Sequence, residues 1–238
     1  MLALYLAGIQ SARAAESLDI QAVGKCIARM EGAYQALHDY TAVLQQTLAD
    51  QGKPRPTETI LVKFQKPFRV YLRWLKGPHQ GREVIFARDL HQGMVWVHQG
   101  DFPDVTVCLS PSTCKALSGS RHGVEEVGLG FVIQLVKHTY QRALSRPQDG
   151  VRFIDYGPSQ VQGRPVRCLE SIMPAREDSG YYGHRARLCI DSQYHLPRRI
   201  TIWDFQNQLY EEFLYTDLKL NPGLTEKDFD PKNPDYNF

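Results

Sequence analysis

From residue 60 to residue 220 the apolar side chains recur mostly with period two. Ile60, Val62 and Phe64 share one face while Lys63 and Gln65 take the other, and Val70, Leu72 and Trp74 alternate with Tyr71, Arg73 and Leu75. That spacing predicts half-buried strands. Glu83–Ala87 and Met94–His98 predict a hairpin around Leu90-His91-Gln92-Gly93. Further strands are expected at Val105–Leu109, Val151–Tyr156, Val166–Met173, Ala186–Ile190, Arg199–Phe205 and Leu209–Leu220. Turn signals separate them at Lys76-Gly77-Pro78, Gln99-Gly100, Gln162-Gly163-Arg164-Pro165 and Asn207-Gln208. Successive hairpins of this kind give an antiparallel meander of about ten strands.

Two stretches carry the helical period instead. Ile27, Met30, Tyr34 and Leu37 form the first stripe. Val124, Val127, Phe131, Leu135 and His138 form the second, flanked by Gly128 and Val132, and Pro147 after Arg146 stops it. Glu125 and Glu126 are expected in its first turn, where negative charge suits the helix dipole.

Several strands are apolar on both faces, Val95 and Val97 against Met94 and Trp96, or Ile200 and Ile202 against Trp203 and Phe205. A solvated antiparallel sheet is polar on one side. Two short helices do not cover so wide a sheet at native packing density. The expected shape is therefore a curved half-barrel, α+β in class, with a concave side partly plugged and partly hollow. By alternation, the hollow draws its lining from Ile60, Val62, Phe64, Leu72, Trp74, Phe86, Trp96, Trp203, Phe205, Phe213 and Tyr215. Val127, Phe131 and Leu135 lie on the lid helix. The competing reading makes the same aromatic residues plain core.

Three segments carry a family resemblance. They are Trp74-Leu75-Lys76-Gly77-Pro78 with Gly81-Arg82-Glu83-Val84, then Ser120-Arg121-His122-Gly123 with Glu126-Val127-Gly128-Leu129-Gly130. The third is Leu220-Asn221-Pro222-Gly223-Leu224 with Asp228-Phe229-Asp230. Over most of residues 25–238 the chain resembles a bacterial family of unknown function placed near the LolA-like periplasmic carriers of lipoproteins and lipids. The resemblance implies an unclosed antiparallel β-barrel with helices covering its concave face, and an interior for acyl chains. The wider superfamily is also similar to LppX-type lipid binders and RseB-type stress sensors. No local motif places a carrier's gating arginine here.

The first residues bear on compartment. Leu2 to Ile9 are apolar and end at Ala12-Arg13-Ala14-Ala15, as in a secretory leader cleaved after Ala14 or Ala15. No Lys or Arg precedes the run, so Met1 is an internal start or the stretch is a surface helix turn. The run is too short to span a membrane, which takes about 20 residues. Residues 1–15 are thus expected as a signal peptide and 16–238 as a single domain. The five cysteines lack metal-type pairing. Cys108 with Cys114 and Cys168 with Cys189 are the expected disulfides, with Cys26 unpaired, which suits an exported protein. Five buried thiols in a cytosolic protein is the alternative.

Charge and chemistry narrow the function further. The 28 basic against 26 acidic residues leave no dedicated nucleic-acid surface. GxSxG, HExxH, Walker and GxGxxG signatures are absent from the sequence. His91 and His98 fall on opposite strand faces, so no metal or cofactor is expected. Ser118, Ser120 and His122 form the nearest thing to a nucleophile cluster. Arg121 and His122 are instead expected to position the helix entry against an acidic partner in the wall. Phe229, Tyr236 and Phe238 are expected to pin the tail outside the barrel.

The reading that follows is a periplasmic, non-enzymatic, monomeric carrier of a lipid or of a lipoprotein's acyl chain. An envelope or outer-membrane protein is a possible further partner. The alternative is an envelope module that docks proteins or senses stress on the same fold.

Overall fold

The computed structural model describes residues 15–118 and 121–238. In chain order the elements are β1 (Glu16–Ser17), α1 (Ile20–Gln35), β2 (Asp39–Asp50), β3 (Lys53–Pro54), β4 (Glu58–Gln65), β5 (Arg69–Lys76), β6 (Glu83–Ala87), β7 (Val95–His98) and β8 (Thr106–Leu109). Then come α2 (Pro111–Ser118), α3 (Leu129–Ser145), β9 (Arg152–Val161), β10 (Arg164–Ile172), β11 (Arg185–Asp191), β12 (Pro197–Trp203) and β13 (Leu209–Leu220). Apart from Ala15, the leader expected over residues 1–15 lies outside the described residues.

The strands form one sheet, ordered β1-β9-β10-β11-β12-β13-β2-β4-β5-β6-β7-β8, with β3 beside β2. Two meanders are joined where β13 pairs with β2, Phe213 opposite Gln46 and Tyr215 opposite Leu44. Every pairing is antiparallel, and β1 and β8 stand at opposite ends of the order, so the barrel is not closed. This is the unclosed antiparallel α+β architecture that the resemblance implies.

The count differs from the expectation. Among the described residues there are 13 strands and three helices. The long central β2 escaped because its Ala, Leu and Gln residues carry no strong strand preference. The additional helix, α2, begins within the segment between Cys108 and Cys114, the pair expected as a disulfide. The lid helix α3 begins at Leu129, five residues after Val124. Gly128 fixes that start with φ +93°, and a Cβ there would stand 2.3 Å from the Tyr40 hydroxyl. That hydroxyl accepts the Leu129 N–H at 3.0 Å. Glu125 and Glu126 consequently precede the helix. Glu125 meets Arg88 at 2.9 Å and Glu126 accepts the Gly123 N–H at 2.9 Å.

α1 and α3 lie on the concave face. Val23, Ile27 and Met30 of α1, with Leu129, Val132, Ile133 and Ala143 of α3, pack against Val62, Phe64, Phe86, Ile200 and Ile202. The convex face has its own cover. Phe229 is fully buried on Tyr71 and Ile85, and Tyr236 stacks on Tyr71 with ring centroids 4.0 Å apart. The tail is steered there by Asp39, whose carboxylate accepts the Gly223 and Leu224 N–H groups at 3.2 and 3.1 Å. Asn237 then reaches the fully buried Glu83, its Nδ2 2.5 Å from Oε1. The two-faced strands of the β4–β7 half are thus explained by helices on one side and the C-terminal tail on the other.

Candidate functional site

The helices leave part of the concave face uncovered, and there a cavity of about 330 Å³ opens. That lies near the lower end of ligand-pocket volumes, about 300–1,000 Å³. Its floor comes from adjacent strands: Leu44 of β2, Ile60 of β4, Leu72 and Trp74 of β5, and Phe213 and Tyr215 of β13. Its roof comes from Val124, Val127 and Gly128 before α3, and from Phe131 and Val132 within it. Cys114 of α2 and the turn residues Pro78, His79 and Arg82 complete the wall.

Of the residues assigned by alternation, the structure brings Ile60, Leu72, Trp74, Phe213, Tyr215, Val127 and Phe131 to this cavity. Others go elsewhere. Val62, Phe64 and Phe86 share the face but are packed solid, Phe64 stacked on Tyr40 at 5.2 Å. Leu135 lines a second, much smaller space of about 30 Å³ between the helices and β10–β12. Trp96 points to the convex side and joins the Tyr71–Phe229 cluster. Trp203 lies beneath Arg185 and Arg187, with guanidinium carbons 4.6 and 5.9 Å from the ring centroid. Phe205 is in a turn, because the Asp204 carboxylate accepts the Gln206 and Gln208 N–H groups and ends β12.

The roof is anchored by a buried polar cluster. Glu211 of β13 is fully buried and accepts the Tyr182 hydroxyl at 2.9 Å, while His122 Nε2 lies 3.0 Å from its other oxygen. Arg121 Nη1 is 3.5 Å from Glu211 and donates to the Tyr210 carbonyl at 2.9 Å; Nη2 donates to the Ala49 carbonyl. Glu211 is thus the acidic wall partner of Arg121 and His122. Burial, and next the Glu211 charge, push the Tyr182 phenol far above its ordinary range. The cluster ties the segment before α3 to β2 and β13. Of the hydroxyl cluster expected around His122, Ser120 and the Ser118 side chain lie outside the described residues.

The cysteines divide. Cys168 and Cys189 face each other on β10 and β11, Cα atoms 4.0 Å apart, and form a disulfide. Cys108 and Cys114 are not bonded, contrary to expectation. Cys108 is exposed and opposite the convex-facing Trp96, whereas Cys114 faces the cavity from α2, so the two thiols are on different sides of the sheet. Cys26 is also free.

No helix among the described residues is long and apolar enough to cross a membrane. A family model described as a protein of unknown function, DUF1571, matches residues 37–238. No curated protein matches the chain. Among solved structures, lipoprotein LppX of Mycobacterium tuberculosis is similar with TM-score 0.52 and 15% identity, over 88% of this chain and 99% of that one. An uncharacterized conserved protein from Thermus thermophilus matches with TM-score 0.51 and 12% identity, over 90% and 96%. MucB, which another structure records from Pseudomonas aeruginosa, matches with TM-score 0.52 and 16% identity, over 88% of this chain but only 62% of MucB. At these identities the likeness is one of fold.

Proposed function

The chain belongs to the DUF1571 family, and on that premise we propose that it is a non-enzymatic binder of an acyl chain, belonging to a lipid or a lipidated protein, in the cell envelope. The observation that carries this reading is the apolar cavity held open between α3 and the β2–β4–β5–β13 floor. Its lining offers leucine, isoleucine, valine and aromatic surface, with Arg55, Glu58, Arg82 and Glu126 also on the wall.

Binding is by solvent shielding. Each methylene moved from water into such a lining contributes about 0.8 kcal/mol, so a run of five contributes about 4 kcal/mol before ordering costs. No bond is made or broken. The roof segment 121–128 moves outward to admit the chain and settles back on the Glu211 cluster. The disulfide Cys168–Cys189 supports residence in an oxidising compartment, and the LppX likeness, a lipoprotein by its printed name, is consistent with an envelope protein.

The test is native mass spectrometry of gently purified protein, combined with displacement of a fluorescent fatty acid. A co-purifying lipid mass and saturable displacement are expected. Neither lipid nor displacement would leave the protein-docking alternative as the better account.

A further inference from the structure

Of the four charged side chains on the cavity wall, Arg55, Glu58 and Glu126 meet Asp50, His79 and His122, and Arg82 is the one whose place in an acyl-binding pocket needs a reason. Arg82 sits in the turn between β5 and β6, within the Gly81-Arg82-Glu83-Val84 segment. Its backbone is fixed on three sides. Trp74 N–H donates to the Arg82 carbonyl at 2.9 Å, Arg82 N–H donates to the His79 carbonyl at 3.0 Å, and Gly81 N–H donates to the Trp74 carbonyl at 2.9 Å. Gly100 packs onto the same turn so tightly that a Cβ there would lie 2.4 Å from Arg82 N. The side chain therefore starts from an immobile point.

Its guanidinium is poorly matched. Nη2 donates to Gln99 Oε1 at 3.1 Å, but buried Nε has no acceptor. No carboxylate among the described residues lies within the 4.0 Å of an ion pair. Glu58, on the same wall, is engaged by His79 at 2.5 Å. The indole of Trp74 lies alongside, its centroid 5.8 Å from Arg82 Cζ, and its Nε1–H is also buried without an acceptor. Among the described residues, the other buried side-chain polar atoms without partners belong to Trp96, Arg142, Ser179 and Arg198, none of which lines this cavity. Two residues with an orphan donor, one of them charged, thus adjoin one another in the wall of an apolar pocket. Burial pulls the Arg82 pKa below its ordinary value, against the opposing pull of the Glu58 and Asp101 charges. Buried donors left unmatched are costly, and a cation more so.

We propose that the ligand is a single-chain amphiphile with an anionic head, carboxylate or phosphate, which pairs with Arg82 and accepts the Trp74 indole N–H. This rests on the acyl-binding reading and sharpens it: the neutral ester of a lipoprotein's acyl chain lacks the charge that Arg82 selects. The head sits against the β5–β6 turn and the tail runs along Leu72, Ile60 and Phe213.

The experiment is displacement of the neutral fluorophore N-phenyl-1-naphthylamine by decanoate, decyl phosphate and decanol, which share a chain and differ in head. On the unaltered protein at least one anion is expected to displace at about tenfold lower concentration than decanol, as a charge-assisted hydrogen bond provides. The better of the two anions identifies the head. Arg82→Gln brings the anions to the decanol level and leaves decanol unchanged, and Arg82→Lys retains a preference for anions. Trp74→Phe weakens the anions more than decanol. Equal displacement by all three ligands on the unaltered protein overturns the proposal while acyl binding stands. So does an equal loss for all three in Arg82→Gln with an unchanged melting curve. If none of the three displaces the fluorophore, the acyl-binding reading fails and the proposal with it.

Discussion

Lys63 Nζ donates to Asp228 Oδ1 across 2.8 Å, joining the convex side of β4 to the C-terminal tail. The same ammonium reaches the Tyr236 hydroxyl at 3.0 Å. Burial works against the charge on each partner. For Asp228 that burial effect is outweighed by the Lys63 hydrogen bond and the Thr225 N–H, so its carboxyl titrates below the usual range. For Lys63 it is outweighed by Asp228 and Tyr236, so the amine titrates above its own.

The sign follows from linkage. The Asp228 contribution is complete above the ordinary carboxylate range of about 4 and is lost as pH falls through its lowered pKa. The Lys63 contribution is complete below about 10.4 and is lost as pH rises through its raised pKa. Tail docking should be flat with pH between those limits. Asp228→Asn removes the acid limb, which chemical denaturation at pH 3 and pH 7 measures; an unchanged acid limb would contradict the assignment.

The tail is structural cover, and its loss should be felt in proportion to what it buries. Phe229→Ala empties a fully buried ring site and should lower stability by about 3–5 kcal/mol. Asn237→Ala removes one donor from buried Glu83 and should cost about 1–2 kcal/mol. Urea unfolding of the two variants gives the ranking, and a reversal of it would place the tail's grip elsewhere.

The thiols should separate cleanly. Non-reducing peptide mapping is expected to find only Cys168 joined to Cys189. Removing that bridge, which closes a sequence separation of 21, should cost about 3 kcal/mol in the chain-entropy account. Exposed Cys108 should alkylate readily. Burial pushes the Cys114 thiol up despite the opposing Arg82 charge, so Cys114 should react slowly with iodoacetamide at pH 8. Decanoate should slow it further. A Cys114 rate indifferent to ligand would argue that the cavity stays empty.

Gly128 and Tyr40 should prove coupled. Gly128→Ala puts a Cβ against the hydroxyl at a positive φ and should cost about 1–3 kcal/mol. Tyr40→Phe loses the Leu129 hydrogen bond, about 1 kcal/mol. The double variant relieves the clash and should lose less than the sum, a departure from additivity that thermal melts resolve.

Strands were readable wherever alternation was clear, as in β4, β5 and β12, because one buried face forces period two. The sequence DYTAVLQQTLAD of β2 hides its role, since its partner β13 lies far along the chain and supplies the context locally missing. Alternation assigns a face but not a position along it. Ile60 and Phe64 therefore looked equivalent, although the first meets empty space and the second is stacked on Tyr40. The polar residues of the site were harder still. Nothing local in the sequence marks Glu211 or Arg82 as a site residue; the fold buries one beneath Tyr182 and sets the other beside Trp74. The Trp74–Val84 and Arg121–Gly130 segments that carry the family resemblance supply much of the cavity's turn and roof.

With β1 and β8 each paired on one flank only, the wall is a hoop left unfastened. Its girth can change by a shift in curvature, without breaking a single rung between neighbouring strands. Thick and thin tails should therefore be accommodated at similar cost, and discrimination should fall on the head rather than on the length behind it.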